Sequence, residues 1–327
     1  MAFSYTLTMR YERQLFFKFI GKEGQEKIRE GIVTIVGVGS LGSISAELLA
    51  RAGIGKLILI DDDTVELHNL QRQSLYDEND IGKKKVIAAK DHLSKINREV
   101  EIEIHDSRID ENNAELLNGI VIDGTDNMKV RYVMNRYCKS NKIPLIYGAI
   151  ASSFGMVYFI NEGPCLECIL PHTVPSITCE ADGVINTISY ITASLQANQA
   201  LKYIVGDKVE DSLISVNVWE NDLKKIKVKS RIDCPVCSGK DENIELEKFI
   251  IRPCKNKAAF SLRERQQQKI DIEKVRKLMD TVSVETKVAL IGNIDQEEII
   301  IHPHGEILFK KCRDKEKMRM IASKLFA

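Results

Sequence analysis

The sequence predicts an α/β fold in which a parallel sheet binds a ligand at its strand C-termini. Two observations carry this prediction. A β-branched run, Ile32–Val36, leads directly into a Gly-x-Gly-x-x-Gly turn at 37–42 and then into a helix of small and apolar residues, 44–52. A second apolar strand, 56–60, ends on Asp61. This order of strand, glycine turn, helix, strand and acid is typical of the nucleotide-binding βαβ unit of a Rossmann-like sheet.

The three glycines of the turn have separate expected roles. Among Gly37, Gly39 and Gly42, one allows the tight turn, one lets the backbone approach a phosphate, and one allows close packing of helix on strand. The helix amides then face an anion, with the helix dipole behind them, and Asp61 stands where a carboxylate holds a ribose hydroxyl. The unit by itself leaves open a nicotinamide or flavin dinucleotide, and with it an NAD-dependent oxidoreductase.

The residues after Asp61 favour triphosphate chemistry. Asp61–Asp63 is followed by Asn-Leu-Gln-Arg-Gln at 69–73 and by three lysines at 83–85. An enzyme that breaks a triphosphate must stabilise charge on the departing pyrophosphate, which calls for arginine and lysine. A solvated basic patch is the alternative interpretation of the lysines.

Further strands and helices complete the expected first domain, residues 1–240. A buried strand at 120–122 ends in a loop that contains Asp126. Strand C-termini point at the ligand crevice, so Asp126 is a candidate Mg²⁺ ligand, and ordinary loop chemistry is the alternative. Other strands are expected at 100–104, 144–147 and 156–161, and helices at 10–20, 83–97 and 184–201.

Eight cysteines form two Cys-x-x-Cys pairs and four single positions. Cys165 and Cys168 form one pair, Cys234 and Cys237 the other, and four thiolates in two such pairs predict a structural tetrahedral Zn²⁺. Two unrelated redox or packing pairs are the alternative. Cys179 lies in a polar loop before a helix, where a thiol can be nucleophilic; an incidental cysteine is equally compatible.

Composition limits the expected partners and compartment. Lys and Arg (47) balance Asp and Glu (47), which gives no electrostatic reason to expect nucleic acid or an anionic membrane as partner. The N-terminus lacks the basic and apolar regions of a signal peptide, so we expect a cytoplasmic protein with reduced cysteines. After Cys237 the composition changes, and residues 241–327 predict a small C-terminal α+β module. Its expected strands are 247–251, 284–291, 297–302 and 306–311, with a hairpin turn at 303–305 and helices at 271–280 and 314–326.

Together these motifs resemble the ThiF/MoeB/HesA family, relatives of the ubiquitin-activating enzymes. The matching stretches run from residue 10 to residue 237 and keep the family's order: 10–14, 37–42, 61–65, 69–73, 82–85, 125–127 and both cysteine pairs. The resemblance implies an ATP-dependent adenylyltransferase that activates the C-terminal Gly-Gly carboxylate of a small ubiquitin-like sulfur-carrier protein of the ThiS or MoaD kind. The alternative is a relative that adenylates another carboxylate, on a peptide or a tRNA base.

The resemblance also implies roles for individual residues. Asp61 binds the ribose, Asn69, Arg72 and Lys85 bind the phosphates, and Asp126 holds Mg²⁺. Arg13 reaches the γ-phosphate from the other subunit of a homodimer, and Cys179 accepts the activated carboxylate as a thiol. The implied nucleotide site as a whole comprises Gly37, Gly39, Ser40, Gly42, Asp61, Asp63, Asn69, Arg72, Gln73, Lys85 and Asp126.

The same resemblance predicts a further partner, a sulfur donor such as a cysteine desulfurase or a sulfurtransferase. The chain departs from members with a full C-terminal sulfurtransferase domain, because residues 244–327 show no clear cysteine loop of that type. The last residues, Lys324 to Ala327, are not Gly-Gly, so we do not expect the C-terminal module to be a fused carrier.

Overall fold

The structure, a computed structural model, describes residues 9–171, 183–239, 249–253, 260–264, 270–286 and 289–326. Two compact units divide the chain between residues 242 and 243. Each unit has its own sheet and its own apolar core.

The first unit is built on an eight-stranded sheet with the strand order β3-β2-β1-β4-β5-β6-β7-β8. Strands β1 to β5 run parallel, and β6 to β8 continue the sheet antiparallel. The central strands β1, β2 and β4 are nearly all buried, as expected for strands with helices on both faces. The strand bounds are β1 Ile32–Val36, β2 Lys56–Ile60, β3 Glu101–His105, β4 Ile120–Asp123, β5 Leu145–Ala151, β6 Phe154–Ile160, β7 Ser212–Asn217 and β8 Asp222–Lys227.

Helices flank this sheet and bury two apolar clusters against it. Gly53, in the left-handed region at φ +83°, ends the helix that follows the glycine turn. Along the described chain, no helix has both the length and the apolar character needed to cross a bilayer. The helix bounds are α1 Glu12–Leu15, α2 Gly21–Glu30, α3 Gly42–Ala52, α4 Lys85–Ile96, α5 Met128–Ser140, α6 Leu166–Ile169 and α7 Asn186–Val205.

The prediction of an α/β fold with a Rossmann-like sheet and a second, smaller unit is confirmed, although several individual elements differ from the prediction. The helix predicted over 10–20 is wrong, because α1 ends at Leu15 and residues 16–20 form turns and a bend before α2 begins at Gly21. Strands β7 and β8 were not predicted: β8 alternates only partly and carries three lysines, so it lacks a buried-strand pattern. The strand predicted over 284–291 is also wrong, since one strand ends at Glu285 and the next begins at Leu290.

The second unit is a six-stranded antiparallel sheet with the order β11-β12-β13-β14-β10-β9. Alternate residues of β13 and β14, such as Ile299 and Phe309, are fully buried under α9, which contributes Met318 and Ile321. The predicted hairpin at 303–305 joins β13 to β14, with Gly305 at φ +99°. The bounds are β9 Phe249–Pro253, β10 Phe260–Glu264, α8 Ile272–Leu278, β11 Thr281–Glu285, β12 Leu290–Ile294, β13 Glu297–His302, β14 Glu306–Phe309 and α9 Lys315–Leu325.

Candidate nucleotide site and cysteine cluster

The glycine turn joins β1 to α3, and two of its three glycines are required by the protein's own packing. Gly37 has φ +83°, and a Cβ there would lie 2.8 Å from the carbonyl carbon of Gly124. At Gly42 a Cβ would lie only 1.9 Å from the Gly37 carbonyl oxygen. Gly39 differs, because a Cβ there would meet only the Gln73 amide nitrogen, at an ordinary 3.6 Å. The side of the turn at Gly39 is therefore open, as the approach of a ligand to the backbone requires.

Asp61, at the end of β2, is buried and holds the loops on either side of it. One carboxylate oxygen accepts a hydrogen bond from the Val38 amide at 2.6 Å, and the other accepts one from the Asp63 amide at 2.8 Å. Burial raises the pKa of Asp61, while the Lys85 ammonium and these two amides oppose the rise. Each oxygen keeps a second lone pair, so the carboxylate can still accept a ligand hydroxyl.

Lys85 begins α4 and is only 6% exposed. Its ammonium lies 2.9 Å from a carboxylate oxygen of Asp63. A residue that the sequence did not single out, Tyr76, holds this region together: its hydroxyl donates to the Val38 carbonyl at 2.8 Å and lies 3.3 Å from the Lys85 carbonyl. A buried tyrosine with no motif around it carries no sequence signal, so only the structure identifies this link between the glycine turn and α4.

The predicted phosphate-binding residues of 69–73 lie in two environments. Asn69 is buried, and its side-chain oxygen accepts from the Glu66 amide at 3.1 Å. Arg72 is half-buried and donates to the His68 carbonyl at 3.0 Å. Gln73 is 3% exposed, and its side-chain oxygen has no hydrogen-bond partner within the described residues. The Gln73 atom that faces the open Gly39 is the amide nitrogen, a donor that suits a phosphate oxygen.

The loop that follows β4 lies directly against the glycine turn. The Gly124 amide donates to the Val36 carbonyl at 2.8 Å, and a Cβ on Gly124 would be 2.2 Å from the Gly37 carbonyl oxygen. Asp126 follows two residues later and is exposed. No group in the described parts of the chain hydrogen-bonds its carboxylate. The structure therefore brings Asp126 to the same edge of the sheet as the glycine turn, with a carboxylate available to a cation.

A buried ion pair lies beneath this loop. Asp123 is 1% exposed, and its Oδ2 accepts from Arg131 Nε at 2.8 Å. Its Oδ1 accepts from both the amide and the hydroxyl of Thr125, each at 2.9 Å. Burial raises the pKa of Asp123, and the Arg131 cation opposes the rise. The sequence analysis did not assign Arg131 to the site, because an arginine inside a helix has no signal of its own.

Two predicted site residues, Ser40 and Arg13, make contacts away from Asp61, Lys85 and Asp126. The Ser40 hydroxyl lies 2.6 Å from the hydroxyl of the buried Ser189 on α7. Arg13 is exposed on α1, and its neighbours attach to the far end of α3: Tyr11 reaches Gly53, and the Gln14 amide donates to the Ala52 carbonyl at 3.0 Å. Since α3 has 11 residues and spans about 16 Å, Arg13 does not join the other predicted residues of its own chain.

The four paired cysteines form one cluster, although the pairs are 69 residues apart. Cys165 Sγ and Cys234 Sγ are 3.5 Å apart, and Cys168 Sγ and Cys237 Sγ are 3.6 Å apart. The sulfur atoms all lie within 4.8 Å of one another. Tetrahedral Zn²⁺ with Zn–S bonds of about 2.3 Å requires sulfur atoms about 3.8 Å apart. The predicted convergence of the two pairs is thus confirmed, and the cluster fits zinc.

Helix α5 supports the first cysteine pair. The Leu166 amide donates to the side-chain oxygen of Asn135 at 2.8 Å, and Arg136 Nε lies 3.0 Å from the buried carboxylate of Glu167. The sequence reasoning missed these supports, since they depend on which helix packs behind the cysteine loop. Cys179 lies outside the described residues, and its assignment stays a prediction.

The mixed sheet with its open glycine turn, acidic strand ends and buried lysine defines a Rossmann-like α/β protein. The ThiF family model matches residues 11–236, which is more than half of the chain. The chain belongs to the ThiF family, and the family resemblance predicted from the motifs is confirmed.

Curated relatives and solved structures agree with this assignment. The chain is 37% identical over 246 residues to the sulfur carrier protein ThiS adenylyltransferase of Bacillus subtilis, covering 72% of this chain and 73% of that protein. It is 32% identical over 248 residues to the SAMP-activating enzyme E1 of Haloferax volcanii, covering 72% and 91% respectively. Among solved structures, Escherichia coli MccB with ATP matches with a TM-score of 0.62 and 24% identity, over 70% of this chain and 74% of that one. The similarity to MccB shows a shared fold.

Proposed function

We propose that this chain is an ATP-dependent adenylyltransferase that activates the C-terminal Gly-Gly carboxylate of a ubiquitin-like sulfur-carrier protein. The observation that carries the proposal is the convergence of Asp61, Lys85 and the exposed Asp126 on a glycine turn that is open only at Gly39. Relatives more than 30% identical over most of their length are named as adenylyltransferases of sulfur carriers or as an E1 enzyme. Residues 1–240 form the adenylation domain in this proposal.

The reaction needs positioning and charge stabilisation more than acid–base catalysis. An oxygen of the carrier's terminal carboxylate attacks the α-phosphorus of ATP, the bond from that phosphorus to the bridging oxygen breaks, and pyrophosphate leaves with the electron pair. The attacking oxygen is already anionic, so no general base has to remove a proton. Lys85 and Arg72 supply positive charge for the departing pyrophosphate, and the amides around Gly39 orient the phosphates.

ATP and Mg²⁺ fit the residues present. Asp61 retains acceptor capacity for a ribose hydroxyl, and the Gln73 amide nitrogen faces the open side of the turn at Gly39. Asp126 offers an exposed carboxylate, the ligand that Mg²⁺ shares with phosphate oxygens. Mg²⁺ would neutralise part of the triphosphate charge there, while the chain's own residues hold the nucleotide in place.

The proposal extends to a homodimer in which Arg13 acts on the partner's nucleotide. Arg13 is exposed on α1, and three phenylalanines after it (Phe16, Phe17 and Phe19) are each more than half exposed. An exposed aromatic cluster of this size favours a protein interface. Cys179 as thiol acceptor and a cysteine desulfurase or sulfurtransferase as sulfur donor complete the proposed pathway.

Zn²⁺ has a structural role in this proposal. Cys165 and Cys168 on one side and Cys234 and Cys237 on the other supply four sulfur ligands, which leaves no open coordination position for a substrate. The metal would join α6 and its N-cap residue to the segment after β8.

The test is ATP–pyrophosphate exchange with purified Gly-Gly carriers encoded in the same genome. We expect exchange that depends on the carrier and disappears when its last glycine is deleted. Exchange with a peptide or tRNA carboxylate instead would replace the proposed substrate, and tight binding of NAD in place of ATP would overturn the adenylation chemistry.

A further inference from the structure

Arg131 occupies an unusual position for an arginine, because its guanidinium is enclosed in the first unit. The residue is 8% exposed and lies on α5, one turn after the loop that carries Asp126. Its Nε donates to Asp123 at 2.8 Å, and its Nη2 donates to the carbonyls of Thr125 and Gly148, the latter at 3.0 Å. A side chain with this many buried partners fixes the groups that it contacts.

Two of these partners, Asp123 and Thr125, belong to the start of the short loop between β4 and α5. Asp123 ends β4, and Thr125 immediately precedes Asp126. Asp123 also accepts from the amide and the hydroxyl of Thr125, so the carboxylate, the loop backbone and the guanidinium form a closed ring of hydrogen bonds. The contact to Gly148 ties this ring to β5, and the loop's other side lies against Gly37 of the glycine turn. The position of the Asp126 backbone is thereby set by Arg131.

Charge leads to the same conclusion. Without Arg131, Asp123 and Asp126 would place two negative carboxylates near one cation site. The buried Asp123 would then compete with Asp126 for the cation or repel the Asp126 charge. Arg131 neutralises Asp123 through a 2.8 Å ion pair. The Asp126 carboxylate has no hydrogen bond within the described residues and is exposed. It still interacts with the guanidinium charge, because, against the opposing effect of burial, Asp123 and, to a smaller extent, Asp126 raise the pKa of Arg131.

We propose that Arg131 is a positioning residue for ATP activation: by clamping Asp123 and the Thr125 carbonyl, it holds Asp126 where the nucleotide's cation is bound. This inference rests on the proposed function. Lysine cannot replace the arginine, since one ammonium can pair with Asp123 but lacks the planar fork that reaches two carbonyls at the same time.

The test compares Arg131→Lys with a matched control, Arg136→Lys, on the same helix. Arg136 also pairs with a buried carboxylate, Glu167, but it supports the cysteine loop and not Asp126. Thermal unfolding first establishes that both variants are folded. ATP affinity is then measured by calorimetry with and without Mg²⁺, and carrier-dependent exchange gives kcat and KM.

We expect Arg131→Lys to leave the metal-free ATP affinity unchanged, to abolish most of the strengthening by Mg²⁺, and to lower kcat by roughly 10- to 100-fold, the range expected for a misplaced reacting group. In an Asp126→Asn background the same substitution should have no further effect, because residues that act as one unit are non-additive. Arg136→Lys should keep the Mg²⁺ effect.

Multiplicative losses in the double variant, or equal loss of the Mg²⁺ effect in the Arg136→Lys control, would overturn the proposal in favour of a purely structural role. Absence of exchange in the native protein would instead reject the proposed function, while the ATP and Mg²⁺ binding measurements still decide on Arg131.

Discussion

Substitution of Gly39 by alanine separates ligand binding from folding more cleanly than any other change at the site. The added Cβ would lie 3.6 Å from the Gln73 amide nitrogen, which is an ordinary van der Waals contact, and the φ of Gly39 is outside the left-handed region. The protein itself therefore accepts the methyl group. We expect stability within about 0.5 kcal/mol of the native value or slightly above it, since alanine reduces the entropy of the unfolded chain.

The effect on ATP should be much larger than the effect on folding. A methyl group on the open side of the turn keeps the phosphate from the backbone, and a lost hydrogen bond to a charged acceptor is worth about 1.5–3 kcal/mol. One such bond corresponds to roughly 10- to 150-fold weaker binding.

Urea unfolding and calorimetric titration with ATP and Mg²⁺ measure the two quantities on the same sample. Gly42→Ala is the contrasting control, because its Cβ would lie 1.9 Å from the Gly37 carbonyl oxygen. That variant should lose about 3 kcal/mol of stability or more as the backbone shifts. If Gly39→Ala binds ATP as tightly as the native protein, the phosphates do not approach this turn, and the site as described here is wrong.

Three further predictions concern the lysine, the dimer and the metal. Burial raises the pKa of Asp61 and the Lys85 cation opposes the rise, so Lys85→Met should raise this pKa further. Because the ionised Asp61 is the form that accepts a ribose hydroxyl best, the acid limb of the pH profile of kcat/KM for ATP should move to higher pH. An acid limb at the native pH would contradict the coupling between Lys85 and Asp61. Arg13→Ala and Asp126→Ala should each inactivate exchange, yet mixing the two variants should restore up to about a quarter of the native activity. The reason is that random pairing makes half of the dimers mixed, and each mixed dimer has one intact site of two. No recovery despite subunit exchange would argue against action of Arg13 in trans. Cys237→Ser should lose about one zinc per chain by elemental analysis and lower Tm by roughly 10 °C, since about 3 kcal/mol of lost metal binding has that effect in a domain of this size. An unchanged Tm would show that zinc does not stabilise the fold.

Several features of this protein could be predicted from its sequence because they depend on neighbouring residues alone. The β-branched run of β1 and the glycine turn after it need no distant partner to be recognised, because strand propensity and phosphate approach are properties of neighbouring residues. The same is true of each Cys-x-x-Cys pair. The convergence of the two pairs across 69 residues was predictable because a single Cys-x-x-Cys pair supplies only two of the four ligands of a tetrahedral site.

The remaining features depend on contacts between segments far apart in the chain. Tyr76 and Arg131 sit in stretches with no motif, and their roles follow from which carbonyls the folded sheet places beside them. Likewise, strand β8 is recognisable only through its pairing with β7, as its own lysine-rich pattern does not indicate a strand.

Sequence by itself determined the fold class, the glycine turn, the acidic strand ends and the four cysteines that form one cluster. Tertiary structure alone decided that the Asp61 carboxylate binds two backbone amides, that Gly39 is the open glycine, and that Arg131 holds the loop of Asp126. The physical reason is that spacing along the chain encodes local geometry, whereas burial and hydrogen-bond partners exist only once distant segments meet.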